Sequence, residues 1–315
     1  MDTPFPAATL QDAIALGARR MLGAAVCIGH DADNAIDEAR SLVMHALHLP
    51  EDLPAHFAEA TLLPEERARI ETLFERRIKE RIPAAYLIGS VRFGDLRLKT
   101  DARALVPRSP LLELIPAGYA GLPRPDRIER VLELCTGGGC LALAMAAAHP
   151  DWHVDAVDLS AEALELAAEN RAMLGLEGRV ELLHSDLYAA VAGRRYELIV
   201  ANPPYLSQAE YEALPAEYAH EPELALPSGV DGLDLTLRIL REAPRHLQQG
   251  GLLVVEIGEA ERALRRLLPQ LPLLWVDFRV GGMGVFAITR EALVGHLDAI
   301  ATALTGRQGC TSNKA

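Results

Sequence analysis

No apolar run in the 315-residue chain reaches the ~18 residues of a membrane span, so no helix that crosses a membrane is expected. The chain opens on Met1-Asp2 without a basic flank and apolar block, so no signal peptide is expected either. Basic stretches are scarce. The net charge is -13, and the one basic run, residues 75–81 (ERRIKER), is interrupted by acids and reads as a solvated helix face. A protein that follows a phosphate backbone carries a basic stripe; a negative chain suits a basic partner. The four cysteines, Cys27, Cys135, Cys140 and Cys310, form no CxxC pair and no disulfide rhythm, as expected in a reducing cytosol. His45 and His48 stand three apart on a predicted helix, but no Cys or carboxylate cluster completes a metal site, so they read as surface histidines. A G-x-G-x-x-G fingerprint and internal repeats are both absent.

Half of the residues are hydrophobic, enough for one large core and a smaller domain. Residues 1–83 read as a helical domain with 14 Asp+Glu against 9 Lys+Arg. Ala39, Leu42, Val43, Ala46 and Leu47 share one helical face, closed by Pro50; Ile70, Leu73, Phe74 and Ile78 share another, between Pro64 and Pro83. This domain carries no recognisable chemistry and is expected to select the partner rather than to bind a cofactor. Residues 84–120 form a linker in which Val91, Phe93, Leu96 and Leu98 predict a hairpin around Gly94-Asp95. Residues 121–304 alternate strand and helix, which implies an α/β domain with a doubly wound, mostly parallel, Rossmann-like sheet. Residues 305–315 read as a flexible tail.

In such a sheet, ligands sit beyond the carboxyl ends of the strands where strand order reverses. The first strand ends in Glu133-Leu134-Cys135-Thr136-Gly137-Gly138-Gly139-Cys140. Glycines there let the backbone approach a ligand and expose N–H groups at a helix start. A pyrophosphate would be repelled by Glu133, whereas an ammonium group suits it. That favours a cationic ligand such as the aminoacyl sulfonium S-adenosylmethionine over a dinucleotide. Asp158 ends the second strand, where a carboxylate can take both ribose hydroxyls, and Ser185-Asp186 ends the third, where one can accept the adenine amino group. The expected cofactor residues are Glu133, Cys135, Thr136, Gly137, Gly139, Asp158, Leu159, Ser185, Asp186, Leu187 and Asn202. Cys135 and Cys140 read as small packing residues rather than redox partners.

The fourth strand delivers Asn202-Pro203-Pro204-Tyr205 to the same edge. Two prolines donate no N–H, so ladder pairing stops there and a stiff turn follows. The tetrapeptide resembles the NPPY motif of S-adenosylmethionine-dependent methyltransferases that modify planar amino groups. With YLIGSVRFGDL, LVPRSP, LELCTGGGC, VDAVDLS, HEPELAL, VVEIG and GGMGVFAITR, nearly the whole chain is similar to the protein-(glutamine-N5) methyltransferases. These have a class I methyltransferase sheet and a small N-terminal helical domain. Pro107-Arg108-Ser109-Pro110, and Cys135 where the release-factor branch has glycine, are similar to the branch acting on the third large-subunit ribosomal protein, L-three.

The resemblance implies that Asn202, Pro203 and Tyr205 are catalytic. The Asn202 side-chain oxygen and Pro203 backbone oxygen each accept one N–H of a glutamine carboxamide, whose delocalised lone pair makes it a weak nucleophile. Tyr205 packs over the planar amide. Pro204, Phe93 and Arg108 join them in binding substrate, and residues 220–226 border the entrance, with His220 shaping the loop. Cys135 and Gly138 depart from the commoner glycine and serine, but both are small enough to keep the cofactor. The implied partner is the basic protein L-three in the cytoplasm, free or on an assembling subunit, with no membrane and no nucleic-acid substrate. A release-factor glutamine methyltransferase is opposed by Ser109-Pro110 and Cys135. The acidic balance opposes a nucleic-acid amino methyltransferase. A non-catalytic nucleotide-binding module or dinucleotide oxidoreductase is opposed by the missing fingerprint and the intact tetrapeptide.

Overall fold

The computed structural model describes residues 5–29, 34–50, 52–279 and 282–311, with side chains to residue 307. Gly281 of the GGMG run, the Cys310 side chain and the last four residues of the expected tail lie outside the described residues. The N-terminal helices begin where the local chemistry dictates. Helix α1 (Leu10–Gly23) starts in a capping box: the Thr9 hydroxyl accepts from Asp12 N, and the Asp12 carboxylate accepts from Thr9 N. Helix α2 (Ala35–Leu47) is capped by Asn34, whose side-chain oxygen accepts from Ile36 N and Asp37 N. Helix α3 (Pro64–Glu75) places Pro64 in its first turn. Ala39, Leu42, Val43 and Ala46 meet Ile70 and Phe74 in a core of the domain's own, with Leu47, Leu73 and Ile78 at its margin.

The basic run departs from the expected solvated face. Residues Arg76–Glu80 form a π-helical turn, and Arg77 is fully buried. Its Nε donates to Glu38 at 2.6 Å and its Nη2 to the Cys27 carbonyl at 2.6 Å, and Nη1 lies 3.4 Å from Glu217. The wider turn breaks the 3.6-residue register, and the buried carboxylates make an interior guanidinium tolerable. Arg76, Lys79 and Glu80 remain exposed as expected.

Helix α4 (Ala84–Ile88) leads into strands β1 (Ser90–Phe93) and β2 (Leu96–Lys99), paired antiparallel with Phe93 opposite Leu96. The main domain then runs β3 (Arg130–Leu134), α5 (Cys140–Ala148), β4 (His153–Asp158), α6 (Ala161–Met173), β5 (Val180–His184) and β6 (Tyr196–Ala201). It continues through α7 (Gln208–Glu212), α8 (Asp234–His246), β7 (Leu247–Glu256), α9 (Glu261–Leu267), β8 (Leu274–Trp275), β9 (Val285–Thr289), α10 (Arg290–Gly295) and α11 (Leu297–Thr311). Residues 305–311, expected in a tail, therefore belong to a helix.

The sheet order is β5-β4-β3-β6-β7-β9-β8, parallel through β7 and antiparallel at β9. The chain builds outward from β3 through β4 to β5, then returns to β6 on the other side of β3. The order thus reverses between β3 and β6. Side chains alternate across the strands. Ile199, Ala201, Leu253 and Val255 enter the core under α8 and α11. Leu198, Val200, Leu252 and Val254 enter the core under α5 and the hairpin. Burial on both faces explains why these strands are continuously apolar.

Candidate active site

The loop after β3 lies at the reversal point. Cys135, Gly137 and Gly139 have φ values of 57°, 55° and 84°. Glycine adopts this left-handed region freely, whereas the Cys135 side chain is strained there. Two carboxylates brace the loop. Glu133 is 1% exposed; its Oε2 accepts from the Thr136 hydroxyl at 2.5 Å and from Ala142 N, in the first turn of α5, at 2.9 Å. Burial pushes its pKa up to about 8, against the downward pull of those two hydrogen bonds. Asp158 accepts from Gly137 N at 2.7 Å with one oxygen and from Ser160 N at 2.8 Å with the other. Burial raises its pKa while these N–H groups oppose the shift.

At the next strand end the Ser185 hydroxyl donates to the Leu187 carbonyl at 2.7 Å and accepts from Ala190 N. Asp186 is held by both its oxygens on Arg238, at 2.9 and 2.8 Å. Beyond β6, Asn202 is half-buried and Pro203 and Pro204 are buried. Tyr205 fits two glycines closely. A Cβ on Gly258 would lie 2.7 Å from the Tyr205 ring, and one on Gly232 would lie 2.0 Å from its carbonyl oxygen. The chain then pairs with its own return: Leu206 N donates to Leu226 O at 3.0 Å, and Ser228 N to Leu206 O at 2.8 Å. Arg108 reaches this return through two hydrogen bonds to the buried Glu221, at 2.7 and 2.9 Å, and lies over the Tyr218 ring.

One cavity gathers most of the expected residues. Its lining contains Glu133, Cys135, Thr136, Gly137, Asp158, Leu159, Ser185, Asp186, Leu187, Asn202, Pro204 and Arg108. Gly139, Pro203 and Tyr205 are adjacent in sequence to lining residues but are not themselves in the lining. Phe93 is not brought to it. Its ring is 3% exposed in the core under the hairpin, on the same face as Val91 and Leu98. Strand alternation sends it inward, so the expected substrate contact of Phe93 is not seen at this cavity. The entrance segment contributes Pro222, Leu224 and Ala225, while His220 points elsewhere, its Nε2 at 2.7 Å from the Glu80 carbonyl. Residues 103–107 also line the cavity. Sequence reasoning treated them as plain linker. The available signal was an apolar Ala104-Leu105-Val106 run with no paired strand to explain it.

A reversing parallel sheet, a glycine loop and an Asn-Pro-Pro-Tyr turn around one cavity define a methyltransferase. Residues 120–218 match the model of the Methyltransferase small domain. A ribosomal protein uL3 glutamine methyltransferase from Xylella fastidiosa is 52% identical over 93% of this chain and 94% of its own. The proteins of that name from Bordetella pertussis and from Neisseria meningitidis serogroup A are 46% and 44% identical, over 90% and 91% of this chain and 96% and 95% of theirs. The chain belongs to the ribosomal protein uL3 glutamine methyltransferase family.

Proposed function

We propose that the protein transfers a methyl group from S-adenosylmethionine to the side-chain amide nitrogen (N5) of a glutamine in uL3, the protein called L-three above. It acts in the cytoplasm, on free uL3 or on an assembling subunit. The observation that carries this reading is the Asn202-Pro203-Pro204-Tyr205 turn at the cavity of a chain 44–52% identical to relatives of that name. The donor set fits the cofactor. Glu133 is a buried carboxyl beside the cavity, and among the described residues no basic side chain pairs with it. It suits an ammonium group, Asp158 suits the ribose hydroxyls, and residues 135–139 offer a close backbone approach. Bound there, S-adenosylmethionine supplies an electrophilic methyl group on a cationic sulfur.

The chain's own task is to hold a weak nucleophile in line. The Asn202 side-chain oxygen and the Pro203 carbonyl accept the two amide N–H groups, which fixes the nitrogen and stabilises positive charge as it grows there. The two prolines keep both acceptors rigid, and Tyr205, seated on Gly258, supplies an aromatic wall for the amide plane. No strong general base is required, because an N-alkylated amide sheds its extra proton to water. The net charge of -13 favours a basic ribosomal protein over a nucleic acid.

The test is incubation with labelled methyl donor and separately purified uL3, release factors and nucleic acids. Label is expected on a uL3 glutamine. Label confined to a release factor or a nucleic acid would overturn the reading. Asn202→Ala should lower the single-turnover rate by ~10²–10³, much more than it lowers donor affinity.

A further inference from the structure

Strands β6 and β7 are parallel neighbours, with Ala201 opposite Val255. One step further, Asn202 and Glu256 stand side by side at the carboxyl ends of the two strands. Glu256 is 5% exposed. It accepts a hydrogen bond from the Ser109 hydroxyl at 2.5 Å, and the adjacent Asn202 side chain lowers its pKa, as a hydrogen-bond donor does. It does not line the cavity, so nothing in the proposed chemistry uses it.

An ionised carboxylate only accepts hydrogen bonds, whereas a carboxamide has one end that donates and one that accepts. A carboxylate beside Asn202 therefore takes its NH2 end and leaves the oxygen end free. A neutral or absent neighbour imposes no such choice. We propose that Glu256 is a positioning residue: it fixes the rotamer of the Asn202 carboxamide so that the side-chain oxygen faces the substrate amide, and Ser109 holds Glu256 in place. The inference rests on the proposed role of Asn202. It makes the linker serine, four residues beyond the cavity-lining Leu105, part of the alignment of the reacting nitrogen.

The charged and titratable groups facing Glu256 are Arg108 from the linker, Tyr205 from the turn after β6 and Cys140 from α5. Burial raises the Glu256 pKa to about 7, while Ser109, Arg108 and Asn202 pull it down. The orienting anion is thus present above about pH 7 and lost below it.

The test is single-turnover methyl transfer at saturating donor and substrate, from pH 5.5 to 9, with donor titration alongside. Glu256→Leu should lose about 100-fold in rate, with donor affinity unchanged within about two-fold. Glu256→Gln keeps one carbonyl acceptor, so its rate should fall less and should lack the acid limb near pH 7. Ser109→Ala removes a hydrogen bond to the anion and should shift that limb upward. A rate within three-fold of the parent in folded Glu256→Leu would overturn the proposal. So would an unchanged acid limb in Glu256→Gln, which preserves shape if the leucine variant does not fold. Full activity in Asn202→Ala would instead sink the underlying mechanism.

Discussion

Glu133 shows how one residue can be legible in type and illegible in state. Its place inside the first strand, before consecutive glycines, marks it as an acid facing a ligand. Only the fold reveals that it is 1% exposed, with a pKa of about 8. At pH 7 the unliganded protein therefore holds this carboxyl mostly protonated. A cationic amino group placed beside it favours the anion and pulls the pKa down, so binding must expel a proton at pH values between the lowered bound-state pKa and about 8. Calorimetry at pH 7 in two buffers of different ionisation heat should show release of about one proton per S-adenosylmethionine bound. Donor affinity should rise with pH and level off above about 8. Glu133→Gln should abolish the release; proton-neutral binding by the parent would rule out this contact. Phe93 teaches the converse, since a motif residue was sent into the core by the alternation of its own strand.

At the scale of elements, helical periodicity assigns the faces of α2 and α3 correctly but says nothing about how closely neighbouring helices approach. Gly17 lies inside α1, where alanine is intrinsically better by ~1 kcal/mol. Yet a Cβ at Gly17 would sit 1.9 Å from the tip of the Phe74 ring. Overpacking of this kind costs ~1–3 kcal/mol, so contact outweighs propensity. Gly17→Ala should lower Tm, and adding Phe74→Leu should recover part of the loss. A higher Tm for the single variant would mean that α1 can shift off α3 freely. The π turn at Arg76–Glu80 escaped the periodic pattern for a related reason. The acids that hold Arg77 inward lie 39 and 140 residues away in sequence.

Across the whole molecule, that arginine joins the helical domain to the catalytic one. Glu217, on the segment between the tetrapeptide turn and the cavity lip, is 1% exposed. It meets Arg77 at 3.4 Å, Arg81 at 3.2 Å and Cys27 N at 3.0 Å. Five residues on, Pro222 lines the cavity, and Leu224 and Ala225 follow. The sequence suggested that the helical domain serves the partner and contributes little to cofactor binding; these contacts tie it to the cavity wall. Arg77→Met strands two buried carboxylates, a change that typically costs ~3–5 kcal/mol. It should lower Tm and weaken S-adenosylmethionine binding several-fold in the protein that remains folded, with a smaller effect for Arg81→Met, whose side chain is partly exposed. Unchanged donor affinity in folded Arg77→Met would restore the independent-domain view.

Local chemistry in the sequence determined the order of strands and helices, the glycine loop, the acids at three strand ends and the Asn-Pro-Pro-Tyr turn. Each is set by neighbours within a few positions: alternation, capping, missing N–H groups and permissive φ. The tertiary structure alone decided which of these groups share a cavity and in what ionic state. It turned Arg77 inward, brought Arg108 to Glu221, and set Glu256 beside Asn202. Those pairings join residues 39 to 140 positions apart. Burial and charge at such range depend on the packing of the whole chain, and no local pattern encodes them.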